Sequence, residues 1–290
     1  MSIARSQYIL DMTRADVRDY LFECLSKILS SADITYVKWD FNRNLTEVGS
    51  ATLPSDRQGE VYHRYVLGLY ELLERLLAAF PNLLLESCSG GGGRFDAGML
   101  YYSPQVWTSD RTEAIERIDI QYGTSLCYPV STMGAHVAKP SAGRYTSIQT
   151  RAAVAMHGTF GYELDLTKLS AEDIEAAKLQ CKDFHRYYDV IQYGDLYRLI
   201  TPWQDHKRAA WSFVAEDQSE VLVTYVVLRS RPMERHYLRL EGLNPNFLYR
   251  EQTSGLTLRG DTLMNAGLVI PERLHDYDAR VFHFKAVFED

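Results

Sequence analysis

Cysteine is scarce in this chain of 290 residues: Cys24, Cys88, Cys127 and Cys181 lie far apart, with no CxxC pair. That spacing excludes a zinc knuckle and a dense disulfide framework, so free thiols in a reducing compartment are expected. Long apolar runs are absent as well, none approaching the roughly 20 residues that a membrane span needs. At the N-terminus, charge at Arg5 and Asp11 interrupts any signal-like apolar core, and a cytoplasmic protein is expected. Basic clusters are missing. The 31 Lys and Arg against 38 Asp and Glu give a net charge of −7, which argues against a nucleic-acid partner and suits an uncharged polar ligand. Neither GxGxxG nor GxxxxGK followed by Ser or Thr occurs, so no dinucleotide or phosphate loop is signalled. No HExxH, paired histidine spacing or Asp-rich loop is present, and His136 and His157 fall on different predicted strands; no metal and no cofactor are expected.

What is there is ordinary globular composition, 46% apolar and 24% charged, on a chain long enough to bury a sizeable core. Short β-like runs alternate with helical patterns up to about residue 190. Residues 14 to 30 place Val17, Tyr20, Leu21, Cys24, Leu25 and Ile28 at amphipathic helix spacing. The strand ITYVKWDF follows. A long helix is predicted over 57 to 79, and Pro81 then introduces the buried strand NLLLES. Further strands are expected at SPQVWTSD, SLCYPVST and AAVAMHGT, with helices over 112 to 122 and 170 to 188, the latter opened by a Ser-Ala-Glu-Asp cap. From about residue 196 the texture becomes short alternating strands separated by Gly, Pro and Asn, the pattern of an antiparallel all-β sandwich. The expected organisation is therefore α/β over 1 to 195, with a β-domain over 196 to 290. About five βα units are counted where a closed (β/α)8 barrel has eight and about 250 residues, so a partial barrel is expected rather than an open dinucleotide-binding sheet.

Three stretches could carry chemistry. In YVKWDFNRN, strand alternation puts Lys38, Asp40 and Asn42 on one face and Trp39 and Phe41 on the other. Polar groups gathered at the carboxyl end of a parallel strand are the usual material of a barrel active site; the plainer reading has Asp40 as a cap and Lys38 reaching to solvent. In QVWTSDRTEAIERIDIQYG, Asp110 also stands at a strand's carboxyl end, although Ser109, Asp110 or Thr112 could equally be a helix N-cap. Two carboxylates on separate strand ends suit glycoside hydrolysis, one attacking or activating water and the other protonating the leaving oxygen, and they would suit a metal equally well. In ESCSGGGGRFD, four glycines leave backbone amides bare for a phosphate or the floor of a sugar subsite, with Cys88 either a nucleophile or a buried structural thiol. Trp39, Trp107 and the tyrosines are core or sugar-stacking aromatics.

Laid side by side, KWDFNR, CSGGGGRFD, SDRTEAIERIDIQYG, YPVSTMGAHV and FGYELDLTKL resemble the α-galactosidases of glycoside hydrolase family 36, in that order and with that family's approximate spacing. The resemblance covers nearly all of the chain. It implies a retaining hydrolase with a (β/α)8 barrel followed by a smaller C-terminal β-domain. By that resemblance Asp40 is the nucleophile and Asp110 the acid/base, while Lys38, Asn42, Cys88 and Gly91, with Arg5, line a galactose subsite. The implied substrates are terminal α-1,6-galactosides such as melibiose and raffinose-type oligosaccharides, processed by double displacement without metal or cofactor. The family's earlier barrel strands and its N-terminal sandwich, which supports oligomer assembly, are expected to be missing. Arg111 departs from the Asn or Asp more usual after the acid/base. Alternatives within the resemblance are an α-N-acetylgalactosaminidase or transglycosylase, and outside it a galactoside-binding or structural remnant without turnover.

Overall fold

The computed structural model describes residues 6–141, 143–230, 236–270 and 274–288. The chain forms two compact units, Met1–Asp110 and Arg111–Asp290. In the first, α1 (Ala15–Leu29) leads to β1 (Tyr36–Asp40), α2 (Val61–Ala79), β2 (Leu84–Cys88), α3 (Ala97–Tyr102) and β3 (Gln105–Trp107). The strands run parallel in the order β1-β2-β3, with Lys38 beside Glu86 and Asp40 beside Cys88. Helix α2 forms because Val61, Tyr65, Leu69, Leu72, Leu73 and Leu76 recur on one helical face; all six are buried, and the last five share one cluster with residues of α1, β1 and β2. The preceding segment crosses this helix closely: a Cβ at Gly68 would come within 2.0 Å of the Met12 carbonyl oxygen, so only glycine fits there.

The second unit begins with α4 (Ala114–Ser125), β4 (Met133–Ala138), α5 (Ile148–Ala155), β5 (Thr159–Glu163) and α6 (Ala171–Tyr193), with β4 and β5 parallel. Next come β6 (Asp195–Ile200), β7 (Arg208–Val214), β8 (Glu220–Val227), β9 (His236–Leu238), β10 (Leu248–Glu251), β11 (Thr257–Arg259), α7 (Gly260–Asn265), β12 (Leu268–Ile270) and β13 (Ala279–Val287). An antiparallel sheet runs β11-β10-β13-β8-β7-β6, and β12 pairs with β9 separately. Period-two alternation divides the large sheet cleanly. Trp211, Phe213, Leu222 and Val226 pack on Ile118, Tyr122, Val154 and Ile191 of the helices, whereas Val221, Val223, Tyr225 and Val227 pack on Leu238, Leu268 and Ile270. The first unit thus holds three parallel strands with their helices and the second two more followed by an antiparallel β-domain, the βα alternation and the change of texture that the sequence patterns imply.

Two expected strands are corrected. The run SLCYPVST holds the end of α4 and a single 3-10 turn, and the strand starts only at Met133. The first half of AAVAMHGT ends helix α5: alanine favours helix, and the Ser147 side chain caps it by accepting from the Thr150 amide. His157 therefore follows a helix instead of sitting on a strand, and β5 begins two residues later. Its ring is buried between Trp211, 4.7 Å away and stacked, and the edges of Tyr122 and Phe213. Burial lowers its pKa to about 3.

Candidate active site

Lys38 and Asp40 extend from the exposed face of β1, while Val37 and Trp39 turn into the core. Beyond the strand, Asn42 Nδ2 donates to Asp40 Oδ2 at 2.5 Å. At the neighbouring strand end Cys88 is the register partner of Asp40, and burial first, then that anion, raises the thiol's pKa. Asn42 therefore orients the Asp40 carboxylate, with the Cys88 thiol beside it. Cys88 itself is buried, and its proton is held, which argues for positioning instead of nucleophilic attack by the thiol.

The glycine run after β2 folds back on itself. The Ser89 amide donates to the Gly91 carbonyl at 2.7 Å, and the Ser89 hydroxyl reaches the Phe41 carbonyl at 2.5 Å. Gly90 and Gly91 adopt φ of 57° and 93°. At Gly91 a Cβ would sit 2.7 Å from the Ser109 Cα, and the Gly92 amide donates to the Thr108 carbonyl at 3.1 Å. Glycine is required here because the loop lies directly on the segment that carries Asp110. This packing brings the ends of β1, β2 and β3 together. Asp110 is exposed, three residues beyond the last residue of β3, at a bend that is not part of a helix. The cap of α4 is Glu113, whose carboxylate accepts from the amides of Ile115 and Glu116, so the N-cap role open to Asp110 in the sequence belongs to Glu113.

Behind the exposed face lies a polar set that sequence reasoning missed. Glu86, on β2 beside Lys38, is 2% exposed. Its carboxylate ion-pairs with Lys38 Nζ at 3.2 Å, accepts from Gln105 Nε2 at 2.9 Å and accepts the Tyr36 hydroxyl. Burial and then that anion raise the Tyr36 pKa, which keeps the phenol a donor. The Lys38 ammonium also lies 4.4 Å from the centroid of the Trp107 ring. Arg94, closing the glycine motif, donates to the Cys88 carbonyl at 2.8 Å and stacks over Phe41; burial lowers its pKa. The signal for Glu86 was the one charge in its strand, directly after three leucines. Arg5 lies outside the described residues. Arg111 is 75% exposed and its guanidinium lies 3.5 Å from Glu116.

Carboxylates at the carboxyl ends of parallel strands, beside a glycine loop and a lysine of the same strand face, are the arrangement that barrel hydrolases use. The melibiase family model matches residues 1–194 and the model of the glycosyl hydrolase family 36 C-terminal domain matches 208–284. The chain belongs to glycoside hydrolase family 36. It is 50% identical over 290 residues to the α-galactosidase AgaA of Geobacillus stearothermophilus, covering 99% of this chain and 40% of that protein. Two crystal structures of AgaA variants, one in complex with raffinose and one with 1-deoxygalactonojirimycin, each superimpose with a TM-score of 0.96 at 48% identity, again over 99% of this chain and 40% of the other. The chain thus spans about 40% of the length of the relatives it matches.

Proposed function

We propose that this chain supplies the catalytic carboxylates of a retaining α-galactosidase. The observation that carries the reading is Asp40 and Asp110 at the carboxyl ends of β1 and β3, on either side of β2 and its glycine loop. The matched relatives support it: they are α-galactosidases, and one is solved with raffinose. In this scheme Asp40 attacks the anomeric carbon from one side while Asp110 gives its proton to the departing glycosidic oxygen. Asp110 then takes a proton from water, whose oxygen displaces Asp40 and releases galactose with its configuration retained. Asn42 holds Asp40 in line for attack, with Cys88 beside it. Lys38, Asn42, Cys88 and Gly91 line the galactose subsite, which suits terminal α-1,6-galactosides of the melibiose and raffinose type. The cytoplasm is the proposed compartment, supported by four unpaired cysteines.

The test is nitrophenol release from nitrophenyl α-galactoside by the 290-residue chain. Asp40→Asn is expected to abolish turnover, and azide to restore part of it in Asp40→Gly. Asp110→Ala should cost far more on raffinose than on the activated aryl galactoside, because a good leaving group needs no proton. Turnover that survives Asp40→Asn would overturn the nucleophile assignment.

A further inference from the structure

A buried carboxylate is costly, and the structure sets two hydrogen-bond donors and one cation on Glu86 although no step of double displacement requires it. Of the three, Tyr36 and Gln105 are neutral and Gln105 Nε2 also donates to the Tyr36 hydroxyl at 3.1 Å, so they form a closed brace around the anion. The third, Lys38, is the only cation among them. Its own side chain is 40% exposed, on the face that carries Asp40. An exposed lysine ordinarily samples many rotamers, and ordering it carries an entropic cost. Here the ammonium is held between the Glu86 carboxylate and the Trp107 ring.

We infer that Glu86 is a positioning residue: braced by Tyr36 and Gln105, it fixes the Lys38 ammonium beside Asp40, so that Lys38 meets the sugar already ordered. The inference rests on Lys38 belonging to the galactose subsite, and it adds a residue that contacts no substrate itself. The fixed pair also explains why a charge sits in the middle of a buried strand, where a structural role would be met by a valine or leucine at lower cost.

The experiment uses the 290-residue chain and two readouts. Binding of 1-deoxygalactonojirimycin is measured by calorimetry, and acetylation of Lys38 by acetic anhydride at fixed pH is followed by peptide mass spectrometry. Glu86→Gln should weaken binding about tenfold and speed Lys38 acetylation severalfold, with Glu86→Asp recovering part of both. A circular dichroism melt accompanies each variant. If the glutamine variant does not fold, Glu86→Asp carries the acetylation test, since it keeps the charge and shortens the reach. Unchanged acetylation in a folded Glu86 variant overturns the inference. If the parent chain fails to bind the iminosugar while acetylation still rises in Glu86→Gln, the hold on Lys38 stands and the galactoside reading falls.

Discussion

Strands β1 and β8 solve opposite problems. In β8 every residue from Val221 to Val227 is buried, because one face meets the helices and the other meets β9 and β12. In β1 the burial alternates, and the three exposed positions are Tyr36, Lys38 and Asp40. Strand β8 is packing throughout Val221–Val227, with Thr224 and the Tyr225 hydroxyl its polar groups there and Glu220 at its start; β1 gives up half of its burial to present polar groups. The lesson is that charge on a strand is retained where neighbouring groups satisfy it, as Asn42 does for Asp40 and as Lys38, Tyr36 and Gln105 do for Glu86.

The sharpest way to break this contrast is in the second unit. Trp211 is 1% exposed at the junction of β7 with α4 and α5, and Trp211→Ala should lower unfolding free energy by about 3 to 5 kcal/mol in urea titration. A smaller effect sits beside it at His157. Its pKa is lowered to about 3 in the folded chain, against 6.5 when unfolded, so only the unfolded state takes up a proton between these values. Stability should be unaffected by this group above pH 6.5 and fall as pH drops below it, by up to about 1.4 kcal/mol per pH unit. His157→Phe should flatten that part of the profile in melts from pH 7 to pH 4. The smallest effect belongs to β1: Asp40→Asn should shift the melt by less than about 1 kcal/mol, since its carboxylate is exposed, even as it removes turnover. A large loss there would mean that Asp40 is structural after all.

Much of this architecture could be read from periodicity. The stripe Val61, Tyr65, Leu69, Leu72, Leu73, Leu76 announces α2, and Asp40 stands out as a charge ending an apolar strand. Ambiguity entered where apolar runs were short. AAVAMHGT has no period that separates helix from strand, and its outcome was decided by alanine propensity and the Ser147 cap. Glu86 was illegible for a different reason. Its meaning comes from the register that sets it beside Lys38 and from Gln105 on the next strand, and neither neighbour is near it in sequence. The capping role of Glu113 was likewise hidden among several adjacent candidates between Ser109 and Glu116, and only the observed amide partners single it out.

The Cys88 thiol, held by burial and by the Asp40 carboxylate, also sets an order of chemical vulnerability. Thiolates are the species that alkylate and oxidise, so Cys88 should react slowly with iodoacetamide or peroxide. Cys127 and Cys181 are exposed and will be consumed first. Mild oxidant or label therefore marks the outside of the second unit while the strand end carrying Asp40 keeps its thiol, which makes the chain's surface cysteines usable as attachment points without touching the chemistry.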